Sequence, residues 1–167
     1  SQSHRGKPAT HREDSMSKLL ATLAIFGLLS APSIQAEESG GGQASYVTVS
    51  AEGFELAGGQ GAVRVHQKGS VTAEGTPFHL GNQDCFSTAL LAAEGPPTVT
   101  FGYCDSSDED GDVWIVSFKN EADEPGTWEL IGGTGKYAGI TGSGTSEVDM
   151  QSSDRMVISW QGKWTLK

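Results

Sequence analysis

From Tyr46 to the C-terminus, short runs of residues alternate between apolar and polar, and they break every eight to fifteen residues at Gly, Pro, Asn or Asp. A side-chain period of two is the signature of a strand with one buried face. Strands repeated at this spacing predict an all-β sandwich or barrel. The last run, RMVISWQGKWTLK, is the clearest: Met156, Ile158, Trp160, Trp164 and Leu166 share one face, and Arg155, Ser159, Gln161, Lys163 and Thr165 the other. The same alternation groups Trp114, Val116 and Phe118, then Trp128 with Leu130, then Val148 with Met150. No helix of convincing length is expected between residues 45 and 167, which read as a single domain.

Two cysteines, Cys85 and Cys104, supply a test of register. If they sit opposite each other on antiparallel neighbours, Phe86 faces Tyr103, Thr88 faces Phe101 and Leu90 faces Val99, with AAEGPP as the connecting loop. Two apolar faces then align without a slip, as a buried face requires. This pattern predicts the aromatics inside and the cysteines on the opposite face. A disulfide closing a loop of this size stabilises by about 3 kcal/mol in the chain-entropy model.

The N-terminal region changes the picture of where such a disulfide forms. Met16 is followed by Lys18, an apolar run from Leu19 to Leu29 and a small-residue end at Ala36. That order predicts a secretory signal peptide over residues 16–36, an upstream leader over 1–15 outside the native product, and a flexible lead-in over 37–44. The apolar run is shorter than the roughly 20 residues a membrane-spanning helix needs. Export, to a periplasm or beyond the cell, makes the cysteine pair a disulfide by default. From Glu37 onward there are 19 Asp and Glu against 7 Lys and Arg, a net charge of −12 with His neutral. Such a surface repels phosphate backbones and argues against nucleic acid as a partner.

The stretch GGTGKYAGITGSGT, Gly132 to Thr145, holds six glycines. A phosphate loop would need Ser or Thr after Gly135-Lys136, where Tyr137 stands, and a glycine where Leu130 stands. The dinucleotide fingerprint fails as well, because strand-like sequence follows where a helix should open. An architectural corner remains, in which Gly132, Gly133, Thr134, Gly135, Lys136 and Tyr137 turn the backbone between two strands. This turn and its trailing AGITGSG resemble the Gly-Gly-Thr-Gly-Lys-Phe/Tyr turn of dirigent proteins and allene oxide cyclase-like barrels, including small exported bacterial proteins of unassigned activity. The resemblance implies a closed antiparallel barrel of about eight strands, often a homo-oligomer. It also implies an apolar lumen that holds hydrophobic intermediates and guides cyclisation without a cofactor. The acids and asparagines on which the plant families rely have no matching motif here.

Candidate chemistry is of two kinds. Trp114, Trp128, Trp160, Tyr103 and Phe101 fall on faces read as inward and would line a pocket for an apolar or ring-shaped ligand, or else fill the barrel. In DSSDEDGD, Asp108, Asp110 and Asp112 alternate, with Gly111 allowing a sharp turn, and resemble half of a calcium loop; Ser106 and Ser117 stand where the outer ligands belong. The alternative there is a solvated hairpin loop. His66, His79, Glu129 and Glu147 alternate with apolar neighbours and read as outward. With no Ser/His/Asp or Cys/His set on the inner face, hydrolysis is disfavoured. Two readings stand: a lumen that binds a small apolar molecule, with cyclase-like or isomerase-like shaping of it, and a non-enzymatic exported module with calcium on its acidic loop.

Overall fold

The computed structural model describes residues 35–167. The leader, and all but the last two residues of the signal segment, lie outside the described residues. Eight strands follow in order: β1 Glu38–Glu55, β2 Gly61–Thr72, β3 Asn82–Leu90, β4 Val99–Ser107, β5 Val113–Glu121, β6 Gly126–Gly133, β7 Thr141–Gln151 and β8 Arg155–Thr165. Each pairs antiparallel with the next and β8 returns to β1, so the sheet closes into a barrel with no free edge. Among the described residues no helix is long and apolar enough to cross a membrane.

Three local expectations change. The stretch 37–44, read as a flexible lead-in, is strand from Glu38 onward, and Glu38 to Ala44 pair with Trp164 to Ile158 of β8. Its glycines serve close approach, not mobility. A Cβ on Gly40 would meet Trp164 Cη2 at 2.9 Å, and one on Gly42 would overlap Thr72 O and meet Ala73 Cβ at 2.6 Å. Closure of the barrel needs this segment, because it supplies the hydrogen-bonding partner that β8 would otherwise lack.

The cystine register is as expected, with Cys85 opposite Cys104, Phe86 opposite Tyr103 and Thr88 opposite Phe101. The faces are reversed. Cys85 and Cys104 are 3% and 4% exposed and face the lumen, whereas Phe101 and Tyr103 are 47% and 50% exposed on the outer surface. Register fixes which residues meet and leaves open which side the sheet curls toward. The curl here follows the larger apolar payload of β5, β6 and β8, and cystine is itself apolar enough to sit inside. A bulge between Val148 and Met150 likewise splits a pair expected on one face. Val148 pairs with inward Ile158, and Met150 with Val157 on the outside.

Antiparallel order places the β1–β2, β3–β4, β5–β6 and β7–β8 turns at one end and the β2–β3, β4–β5 and β6–β7 connections at the other. The second end is plugged. Phe78, from the β2–β3 connection, packs with ring centroids 5.4 Å from Trp114, 5.0 Å from Trp164 and 6.0 Å from Tyr137. All four rings are buried.

Candidate ligand-binding site

The glycine corner and the acidic loop, read apart in sequence, form one unit at the plugged end. Thr134 N–H donates to Val113 O at 2.7 Å, and Thr134 Oγ1 accepts Val113 N–H at 3.0 Å, tying the corner to β5. Gly135 adopts φ of +52°, and a Cβ there would overlap the Asp112 carboxylate. The gap lets Asp112 Oδ2 accept Lys136 N–H at 3.0 Å. Lys136 Nζ then reaches Asp108 Oδ2 at 2.7 Å and Asp110 Oδ2 at 3.4 Å. The contact to Asp108 Oδ2 is one of charge and not an aligned hydrogen bond.

Asp108 is 8% exposed, and its other oxygen accepts the backbone N–H groups of Asp110 and Asp112 at 2.9 and 3.0 Å. Lys136 is the main cause that holds the Asp108 carboxyl below the usual carboxylate range; burial opposes it, and the Asp112 and Asp110 amides assist. The same pairing raises Lys136 above the usual lysine range. Tyr137 is fully buried, and its hydroxyl donates to Pro77 O at 2.5 Å, drawing the β2–β3 connection over the barrel floor. Thr134 to Tyr137 thus turn the backbone and hold the acidic loop, whereas Gly132 and Gly133 lie within β6, opposite Ile115 and Trp114. Among the described residues no group of three or more His, Cys, Asp or Glu is arranged to hold a metal ion, and a calcium ion at this loop would have to displace the Lys136 ammonium.

Above the floor lies a cavity of about 420 Å3 that opens toward the β5–β6 turn. Trp114, Trp128 and Trp160 line it, with Phe78 and Phe118; Phe101 and Tyr103 do not, because they stand on the outer surface. The cavity survives because large rings lie flat across glycines of neighbouring strands. A Cβ on Gly162 would overlap Trp128 Cζ2, and one on Gly144 would meet it at 2.5 Å. Trp128 is fixed there by its indole N–H, which donates to Thr145 O at 3.1 Å. Tyr46 crosses β2 in the same way over Gly69, and Trp114 lies over Gly81. Glycine thus converts wall thickness into lumen space.

Sequence reading missed the polar lining. Tyr46 hydroxyl donates to Gln83 Oε1 at 2.6 Å, and Gln83 Nε2 donates to Ser106 Oγ at 3.0 Å, all three buried. Burial raises the Tyr46 phenol above its usual range, so it stays a neutral hydroxyl. Gln67, opposite Cys85 in the β2–β3 register, lines the same wall. The signal was present: Gln83 lies two residues before Cys85 and Ser106 two after Cys104, so placing the cystine inside brings both in. His66 lies outside as expected, its ring stacked on Phe86 at 4.4 Å and its Nε2 2.5 Å from Asp84 Oδ1. That hydrogen bond leads the causes that lower the Asp84 carboxyl.

No protein-family model and no curated protein matches this chain. Solved structures do match in fold, among them two dirigent proteins. One is the pterocarpan synthase dirigent protein PsPTS1, with TM-score 0.53 and 12% identity over 78% of this chain and 96% of that one. The other is the pterocarpan synthase dirigent protein GePTS1, with TM-score 0.51 and 13% identity over 80% and 87% of the two chains. At this identity the likeness is one of fold: the chain is a closed eight-stranded antiparallel barrel of the dirigent type.

Proposed function

We propose that this dirigent-type barrel is exported and holds a small apolar, ring-bearing molecule in its lumen. The observation that carries the reading is the cavity of about 420 Å3 walled by Phe118, Trp128 and Trp160 above a plugged floor. Its volume falls within the roughly 300–1,000 Å3 of small-molecule pockets, and its lining is mainly apolar with a few fixed polar groups. A core that served stability alone would bring these apolar walls together, since apolar surface left facing water forgoes about 25 cal/mol per Å2 of burial. The disulfide between Cys85 and Cys104 supports export, because such bonds persist in oxidising compartments.

Within such a lumen a reactive occupant would be steered toward one cyclised or isomerised product by confinement. The walls favour that mode over acid–base chemistry, since no histidine among the described residues lines the cavity and its carboxylates stand at the mouth. Native mass spectrometry of protein purified from its exported compartment tests the reading. The expected result is a mass adduct that is lost in the Trp128→Ala variant. Bare protein that also fails to bind a naphthalene-sized hydrocarbon in equilibrium dialysis would refute it.

A further inference from the structure

The polarity of the lumen restricts its contents further, and this inference rests on the proposed ligand-binding role. Among the described residues that line the cavity, the only Asp, Glu, Lys, Arg or His are Glu121, Glu124 and Glu147, and all three are exposed at the mouth. Glu124 belongs to the β5–β6 turn. Glu121 is ion-paired to Lys119, its neighbour in the alternation, and Glu147 pairs in register with Ser159, between inward Ile158 and Trp160. Below them, among the described residues, the walls hold no ionised side chain.

The interior offers hydrogen bonds instead: Asn120 and Ser146 stand at the mouth beside the β5–β6 turn, and Tyr46, Gln67 and Gln83 line the wall below. Gln83 is occupied by Tyr46 and Ser106, which locks its amide in place. Gln67 lines the cavity without a hydrogen-bond partner for its amide among the described side chains. It stands on β2 beside the cystine, away from the tryptophan-bearing strands β6 and β8. A primary amide carries both donors and an acceptor, and it discriminates strongly between ligands that answer it and ligands that do not.

We infer that Gln67 is the recognition group of the lumen and that its occupant is an uncharged molecule bearing a hydroxyl or carbonyl group on an apolar, ring-containing body. An ionised ligand is rejected because its charge would lose water and gain no counter-charge inside. Anions are opposed a second time by the carboxylates at the mouth.

Equilibrium dialysis with four probes of one shape tests this: naphthalenemethanol, methylnaphthalene, naphthoate and naphthylmethylammonium. The expected order places naphthalenemethanol first, roughly three- to tenfold tighter than the hydrocarbon, as for one neutral hydrogen bond. Both charged probes fall at least about tenfold below it. Gln67→Leu removes the preference for the alcohol over methylnaphthalene, whereas Gln67→Glu brings in naphthylmethylammonium. If the hydrocarbon binds but a charged probe matches the alcohol, or the alcohol preference survives in Gln67→Leu, the inference is overturned and the lumen role stands. If none of the four binds, both are overturned.

Discussion

Substituting Gly162 by alanine tests the idea that glycine holds the lumen open. The added methyl would overlap Trp128 Cζ2 and lie 2.5 Å from Ser143 O, while Trp128 is pinned by its indole N–H to Thr145 O at 3.1 Å. Relief requires the indole to tilt into the cavity, which breaks or lengthens that hydrogen bond. Overpacking of this kind destabilises by about 1–3 kcal/mol. The restricted unfolded chain returns about 0.4–1 kcal/mol. A net loss of about 1–2 kcal/mol is expected, a fall of roughly 1 M in the urea midpoint at a slope of about 1.5 kcal/mol/M. The double variant with Trp128→Ala isolates the overlap: the loss from Gly162→Ala should shrink in the Trp128→Ala background, with some retained because Ser143 O stays close. Ligand uptake should fall in Gly162→Ala even where the protein is fully folded, since the ring moves into the space a ligand would use. Full additivity of the two substitutions, or a Gly162→Ala protein as stable and as competent as the parent, would refute the account.

Removing the Tyr46 hydroxyl in Tyr46→Phe leaves Gln83 Oε1 buried without its donor, for a loss of about 1–3 kcal/mol in urea unfolding; a loss below about 0.3 kcal/mol would show the network to be inert. Asp108 has its folded pKa below the unfolded value, so its contribution is complete above the ordinary carboxyl range of about 4 and is lost as pH falls through the folded value. Asp108→Asn should therefore be less stable than the parent at neutral pH and show a shallower fall in melting temperature below about pH 4; equal slopes would exclude this carboxyl from the acid limb. In Lys136→Met the Asp108 and Asp110 carboxylates lose their ammonium, so calcium should raise the melting temperature of the variant more than that of the parent. An equal rise in both would place the calcium elsewhere.

The barrel and its register were legible because strand pairing is local information. Alternation identifies a strand, and the cystine aligned β3 with β4 residue for residue. Facing is not local. Phe86, Phe101 and Tyr103 were read as inward from their apolarity, yet the side on which a strand's aromatics end up depends on how the whole sheet curls, and exposed apolar residues are common. The bulge at Val148 and Met150 is invisible for a related reason, since only the partner strand reveals an extra residue. At the floor, the sequence places a corner over GGTGKY, of which Gly132 and Gly133 belong to β6, and the corner's link to Asp108 and Asp112 joins segments more than twenty residues apart and has no trace in spacing. The glycines of β1 misled in the opposite direction: composition alone cannot separate a flexible residue from one that needs room for a neighbour's ring.

Because Phe78, Trp114, Trp164 and Tyr137 seal one end of the barrel, the structure is a cup and not a tunnel. Whatever enters must back out along the route it took, so a fresh molecule can follow only after the previous one has gone. A long chain could dip its tip inside but could not be threaded through, so any guest would have to be short or to enter by a terminal group.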